Sequence, residues 1–258
     1  MSYVNDNNFV RWNANPFGED CFYTLPLLQG DTLQIMFNYT LDDAVVPFST
    51  LRLGLYNETD SAFYLLDIAS ITQVTIVGAS YVIHFSWTVP PLPPKARFRF
   101  MLYEASFSAF YYFSNSLQPV SSSNYTGLVK YRNAVDTLGY AYTSASSFYN
   151  QIRVGLWTGR PTPIENVIGY QTYLNNTIRT RTSINKKREF ETRFFDEGAH
   201  VAFFAMLAQS EFYIDDVRFK KAEGDEYSIT WSEFDDEQIG NGSVELMVDD
   251  YSEAINLC

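Results

Sequence analysis

The stretch ARFRFMLYE, residues 96–104, decides the fold class of this chain. Successive side chains of an extended strand point to opposite faces. Phe98 and Phe100 therefore share one face, and Arg97 and Arg99 share the other. A strand with one buried and one solvated face is typical of antiparallel sheets. The stretch therefore predicts an antiparallel β structure.

Further short strands are predicted on both sides of this one, over residues 22–113. LRLGLYN (51–57) alternates between apolar and polar residues, and SYVIHFSWTV (80–89) is rich in β-branched and aromatic residues. The segment 90–94 contains four prolines and is therefore a loop or an extended edge, because proline cannot lie inside a sheet. Short strands that follow one another without helical spacers predict an antiparallel β-sandwich.

A change in composition after residue 113 predicts a domain boundary. SNSLQPVSSSNYTG (114–127) is rich in Ser, Asn, Pro and Gly, as linkers and long loops are. We therefore predict an N-terminal antiparallel β-sandwich domain over 1–120 and a C-terminal β-rich domain over 121–258. The predicted fold class is mainly β.

The second domain is predicted to carry one α-helix, at about 196–209. Asp196 is a suitable N-cap, and Val201, Phe204 and Leu207 give the helix an apolar face. The other segments of this half have the composition of strands. Strands are predicted over 168–176, 177–184, 190–195, 211–221, 226–234 and 242–251, with Gly240-Asn241-Gly242 near the turn of the closing pair.

The composition combines many aromatic side chains with few catalytic ones. Phe, Tyr and Trp make up 17% of the 258 residues, whereas the chain has two His and two Cys. Histidine and cysteine are the commonest acid–base, nucleophilic and metal-ligating groups, so we expect no enzyme activity and no cofactor. The net charge of −12 argues against nucleic-acid binding, which needs clustered Lys and Arg, and against docking on anionic lipid.

The N-terminal segment and the cysteines predict a protein made in the cytoplasm. MSYVNDNNFVRW (1–12) has no basic segment followed by an apolar one, so no signal peptide is expected. No apolar run reaches the roughly 20 residues that a membrane helix needs. Cys21 and Cys258 lie near opposite ends, and we expect two free thiols in a reducing compartment rather than a disulfide.

Both histidines are predicted to be structural. His84 lies within a predicted strand and is expected on its polar face. His200 lies beside Asp196 in the predicted helix, where an acid–base pair is the alternative, but no Gly-x-Ser-x-Gly motif or other nucleophile context accompanies it. Neither has a partner at zinc-ligand spacing. The adjacent carboxylates are predicted to be solvated charges, namely Asp215-Asp216, Asp235-Asp236-Glu237 and Asp249-Asp250.

Two groups of residues are candidates for contacts with other proteins. SFSAFYYFSNS (106–116) is too aromatic to be left exposed. Basic side chains cluster over 179–188, and we expect this basic edge to meet an acidic C-terminal surface on a neighbouring copy. The candidate interface residues are Phe107, Phe110, Tyr111, Tyr112, Phe113, Arg179, Arg181, Lys186, Lys187 and Arg188.

Several stretches of the sequence carry a resemblance to one class of proteins. They are GLVKYRNAVDTLGYAY (127–142), FYNQIRV (148–154), LPLLQGDTLQIMFNY (25–39) and the run from Ile184 to Lys221. These stretches resemble tail structural proteins of tailed bacteriophages that infect Bacteroidetes, including crAss-like phages. The run 184–221 is similar to their strand–helix–strand unit. The resemblance implies a multi-copy virion component, arranged as a ring around the tail axis and without catalytic residues.

We therefore expect a non-enzymatic structural subunit of a bacteriophage virion, of the tail-hub, distal-tail or baseplate type. Its expected partners are copies of itself in a ring and other virion tail proteins, and its expected location is the virion tail after synthesis in the host cytoplasm. The first alternative is a carbohydrate-binding β-sandwich module or adhesin that stacks aromatics on sugar rings. The second is a glycan-degrading enzyme with paired carboxylates.

Overall fold

The described residues form nineteen strands and one α-helix. The predicted mainly β fold is therefore confirmed. The computed structural model describes residues 8–13, 23–40, 51–65, 71–77, 80–104, 110–136, 142, 147–171, 173–174, 177–221, 224–234, 237–249 and 253–255.

Ten strands come from the first half of the chain, and nine strands and the helix come from the second. The first ten are β1 (Trp12–Asn13), β2 (Leu25–Leu28), β3 (Thr32–Thr40), β4 (Leu51–Asn57), β5 (Ala62–Leu65), β6 (Ile71–Val77), β7 (Ser80–Thr88), β8 (Phe98–Glu104), β9 (Phe110–Ser114) and β10 (Leu117–Val120). The others are β11 (Thr126–Arg132), β12 (Asn150–Thr158), β13 (Thr162–Gln171), β14 (Thr177–Phe195), α1 (Glu197–Leu207), β15 (Glu211–Ile214), β16 (Val217–Lys220), β17 (Ser228–Phe234), β18 (Glu237–Val248) and β19 (Glu253–Ile255).

The first half of the chain contributes two facing layers. In one layer β5, β4 and β8 pair in turn, and the other side of β8 pairs with β9 and β10, which continue to β1 and β2. In the second layer β3, β7 and β6 pair antiparallel. The ring of Phe100 on β8 contacts those of Phe85 and Trp87 on β7, at centroid distances of 5.2 and 5.6 Å. These rings form part of the core between the layers.

The segment predicted as a linker, 114–127, contains a strand. Leu117–Val120 pairs with Leu25–Leu28, and this pair is parallel, unlike the antiparallel pairing that the sequence predicts. Leu117 is fully buried, and the polar residues before it are buried too. Asn115 donates a hydrogen bond to the carbonyl of Tyr23 (3.0 Å). Polar residues that suggested a solvated linker are therefore satisfied inside the fold, and the loop is confined to 121–125.

In the second half, six strands close into a barrel where the sequence predicts a sheet. Their order is β11, β12, β14, β18, β16 and β15, and β15 pairs back to β11. Closure leaves no free edge in this part of the sheet. Phe190 and Phe219 meet edge to face in the core, at 5.0 Å between centroids. β3 joins the outside of the barrel at β12, through the pair Gln34 and Gln151.

The helix lies where the sequence predicts it and packs against β14 and β18. Its predicted apolar face is wrong at two of three positions, because Val201 and Phe204 are 44% and 57% exposed and only Leu207 is buried. The N-cap Asp196 accepts a hydrogen bond from the backbone N–H of Ala199 (2.7 Å), which satisfies one of the free donors of the first turn. The closing pair β17–β18 is also present, and its register runs from Ser228 opposite Ser243 to Phe234 opposite Glu237. Gly240 and Gly242 lie inside β18 instead of at the turn.

The most unexpected element is β14, a single strand of 19 residues. It joins two segments that were predicted as separate strands, 177–184 and 190–195, through the basic run between them. The predicted boundary between 120 and 121 falls at the start of the loop that links β10 to β11. Division of the chain into two domains stays a prediction.

Candidate functional site

One part of the second half pairs with no barrel strand among the described residues. It consists of β13, the tip at Tyr173 and Leu174, and residues 177–186 of β14, and we call it the arm. Within the arm β14 pairs with β13, and at 182–184 also with β19. Pairing of β14 with the barrel begins at Lys187. We call the sandwich and the barrel together the body.

The arm is long enough to reach well away from the barrel. Ten residues of β14, 177–186, precede its first barrel pair. At a rise of 3.3–3.4 Å per residue, they span about 33 Å. An isolated two-stranded hairpin is marginally stable at best in water. The arm is therefore the part of the described fold that gains most from packing against another surface.

The tip of the arm presents apolar side chains to solvent. Tyr173 is 94% exposed and Leu174 is 65% exposed. Both residues fall inside the strand predicted over 168–176, so the sequence pattern does not identify them as an exposed tip. The turn signal was present in Asn175-Asn176, since asparagine pairs mark tight turns.

The basic candidates all lie on β14, but they do not share one environment. Arg179 and Arg181 occupy arm positions opposite Gly169 and Ile168, where the pairing with β13 contains a bulge; their side chains lie outside the described residues. Lys186 and Arg188 are half-buried on either side of the point where the arm joins the barrel.

Lys187 already has acidic partners in its own chain. Its Nζ lies 2.9 Å from Asp225 Oδ1 and 3.5 Å from Glu245 Oε2. The hydrogen bond to Asp225 is the main cause of a raised pKa for Lys187. We expected an acidic surface of a neighbouring copy to meet this basic run. At Lys187 the acidic surface belongs to the same chain.

The aromatic candidates of 107–113 lie partly in the core. Tyr112 and Phe113 on β9 are each 8% exposed, and Phe113 packs with Met101 and Tyr103. Burial raises the pKa of Tyr112. Phe107 lies outside the described residues. Phe110 and Tyr111 lie on β9, but their side chains are outside the described residues as well. Tyr112 and Phe113 are therefore buried by residues of their own chain and do not need a partner protein to cover them.

His84 is buried, so its expected place on a polar strand face is wrong. The residue is fully inaccessible on β7, and its ring stacks against Phe148 at 4.8 Å between centroids. Burial lowers the pKa of His84 to about 4, which leaves the ring neutral at pH 7. β7 lies between β3 and β6, and its residues 82–85 are all buried. Burial therefore does not alternate along this strand as the prediction assumes.

His200 does not pair with Asp196, the alternative raised by the sequence. Its Nδ1 lies 2.5 Å from Tyr227 Oη, which in turn lies 3.0 Å from Thr192 Oγ1. Asp196 instead accepts hydrogen bonds from the backbone of Ala199 and Tyr23 and pairs with Arg11 at 3.1 Å. Burial lowers the pKa of His200 and raises that of Tyr227.

Two glycines of β18 create the space for this His–Tyr–Thr chain. A Cβ on Gly242 would overlap Tyr227 Oη, and one on Gly240 would lie 2.8 Å from His200 Nε2. The glycines that suggested a turn therefore serve a close approach of side chains to a strand. His200 and Thr192 are both buried, and the chain of hydrogen bonds ties the helix to β14 and β18.

The described residues hold no group of three or more side chains suited to a metal ion. Asp215 and Asp216 form an exposed turn with positive φ, and Asp249 pairs with Arg218 and Lys220. Within the same residues no helix is long and apolar enough to cross a membrane. The chain matches no protein-family model, and no curated protein is significantly similar to it.

Proposed function

We propose that this chain is a non-enzymatic structural subunit that assembles with copies of itself into a ring, and that the ring belongs to a bacteriophage tail. The observation that supports self-assembly is the arm, with its exposed tip and its strand edge that has no partner among the described residues. The sequence resemblance to phage tail proteins carries the choice of a virion tail, in the tail-hub, distal-tail or baseplate position.

The arm supports assembly because its edges and tip have no partner strand beyond β19 among the described residues. β13 pairs with β14 on one side only. An unpaired strand edge readily adds a strand or a surface from another chain. Pro163 blocks pairing at the start of β13 and leaves the remainder of the edge available. The same strand β14 anchors the arm in a closed barrel, which gives the contact a rigid base.

The environment of the two histidines supports a non-enzymatic role. His84 is inaccessible, and His200 is bound to Tyr227 inside the fold. A general acid or base must lie within reach of the proton that it transfers. Neither buried ring offers an accessible proton site of this kind.

An arm-shortened variant tests the proposal. Residues 167–182 are replaced by Asn-Gly, which joins the paired positions Asn166 and Ser183 by a tight two-residue turn. We expect the wild-type chain to form a closed oligomer in sedimentation velocity experiments, and the variant to remain a monomer with an unchanged Tm. We also expect mass spectrometry of purified virions to find the chain in multiple copies.

The matched control changes a hairpin turn of the barrel. Asp215 and Asp216 both have positive φ, 49° and 61°, so Asp215→Asn with Asp216→Gly suits the same turn and retains assembly. An arm-shortened variant that assembles like the wild type would overturn the role of the arm. A wild-type chain that stays monomeric at every concentration, alone and with the other tail proteins, would overturn the proposed function.

A further inference from the structure

We propose that the tip of the arm docks into an apolar groove on the sandwich of a second copy. This inference rests on the proposed function and names the surface that receives the arm. The groove has a volume of about 190 Å³ and lies between the β2–β3 turn, the loop after β7, and β10. Its floor includes Leu27 and Val89, and its walls include Pro90, Pro94 and Pro119.

The size and chemistry of the groove suit a single aromatic ring. A closed apolar cavity of roughly 150 Å³ is enough to bind benzene, so 190 Å³ accommodates the ring of one tyrosine. Proline carries no backbone N–H, so the walls offer apolar contact with few donors. Gln29 and Ser121 add polar atoms to the lining. A tyrosine combines an apolar ring with a hydroxyl that needs such a partner.

The walls of the groove are held in place before any ligand arrives. Gly30 N–H donates to the carbonyl of Val89 (3.0 Å), and Val89 N–H donates to the carbonyl of Asp31 (2.8 Å). Arg153 on β12 binds the Asp31 carboxylate with two nitrogens, one of them at 3.1 Å. A preformed pocket lowers the ordering cost of binding, so the groove is suited to receive an anchor side chain.

Tyr173 is the occupant that the structure favours. It is the most exposed of the large hydrophobic side chains described, at 94%, so it does not fill the groove of its own chain. It is carried at the end of an arm about 33 Å long, which gives it the reach to meet a neighbour. Leu174 beside it is 65% exposed and adds aliphatic surface.

The area of the arm explains why an anchor is needed. One face of two strands, about 33 Å long and 10 Å wide, covers roughly 300 Å². Each partner of a stable pair typically buries about 800 Å². Most binding energy in small interfaces comes from a few side chains seated in pockets. The tip in the groove supplies such a contact.

This contact joins two different surfaces, so each copy can bind a second copy through its tip and a third through its groove. The tip belongs to the second half of the chain, and the groove belongs to the first. Contacts between unlike surfaces lead from copy to copy and give a ring when the rotation closes. Each copy in the ring gives one tip and receives one.

The test uses two full-length variants that each lose one side of the contact. The tip variant is Tyr173→Ala with Leu174→Ala. The groove variant is Ser121→Trp, which fills the groove from an exposed lining position. Matched controls are Tyr125→Ala, another exposed tyrosine, and Ser122→Trp, an exposed neighbour outside the lining. We expect the midpoint concentration for assembly to rise about tenfold or more in both variants and to be unchanged in the controls.

Mixing the two variants gives the sharpest readout. The tip variant keeps its groove, and the groove variant keeps its tip, so one contact remains possible between them. We expect native mass spectrometry to show a one-to-one pair of the two variants and no larger species. If both variants assemble like the wild type, the docking inference is overturned while the proposed function stands. If the groove variant alone loses assembly, the groove binds something other than the tip, and the inference is again overturned.

Discussion

The two ends of β14 are one strand in two environments. From Lys187 to Phe195 it is flanked by β18 and, at 190–192, also by β12, and Phe190, Thr192 and Phe195 are buried. From 177 to 186 it pairs with β13 and briefly with β19. The barrel end gains its stability from closure and a packed core. The arm end lacks both within the described residues, and we propose that assembly supplies them.

The largest expected effect separates the two ends by stability. Phe190→Ala removes a fully buried ring that packs on Phe219, so we expect the free energy of unfolding to fall by about 3–5 kcal/mol. Tyr173→Ala at the exposed tip is the matched change in the arm, and we expect a shift within about 0.5 kcal/mol. Urea unfolding of dilute monomer measures both. Equal losses would mean that the arm is part of the same packed core.

Acidification is expected to lower the free energy of unfolding of the body through His84. Both histidines of the chain lie outside the arm, so this effect concerns the body alone. The pKa of His84 is lowered to about 4 by burial, against about 6.5 in an unfolded chain. Above pH 6.5 both states are neutral and the stability is complete. As the pH falls from 6.5 towards 4, the unfolded state binds a proton that the folded state does not, and roughly 3 kcal/mol is lost.

The variant His84→Phe isolates this proton from the carboxylates that titrate in the same range. We expect its free energy of unfolding to fall less steeply than that of the wild type between pH 6.5 and 4.5, by up to about 1.4 kcal/mol per pH unit. Urea titrations at fixed pH steps measure the two slopes. Parallel slopes would show that His84 is protonated in the folded state.

A smaller effect tests the close approach that holds the helix to β14. Gly242→Ala places a methyl group against Tyr227 Oη, and we expect a loss of about 1–3 kcal/mol from the forced shift. Gly155→Ala is the matched control inside β12, because a Cβ there meets its nearest atom at an ordinary 3.4 Å. Thermal unfolding of both variants checks the difference. A Gly242→Ala protein as stable as Gly155→Ala would mean that Tyr227 moves away without cost.

The sequence predicts those parts of the fold that depend on local chemistry. Alternation around Phe98 and Phe100 predicts β8 and its buried face, and Asp196 is the N-cap of α1 as the sequence predicts. Each of these features depends on a few residues that are neighbours in the sequence.

Features that depend on distant partners could not be predicted. Closure of the barrel requires β15 to pair with β11, some 80 residues earlier in the chain, and no local pattern encodes such a pair. Gly240 and Gly242 suggested a turn because their partners, His200 and Tyr227, reach them only in the folded chain. The sequence places His84 on a polar strand face because histidine is a polar residue. Its burial depends on the strands that flank β7, which a local pattern does not reveal.

Hydrogen exchange along β14, followed residue by residue before and after assembly, tests the central claim most directly. In dilute monomer we expect the amides of 187–195 to be protected and those of 177–186 to exchange much faster, because protection follows local stability. In the assembled protein we expect the 177–186 amides to become protected as well, while 187–195 stay unchanged. Equal protection of both ends in the monomer, or no gain at 177–186 on assembly, would contradict the account.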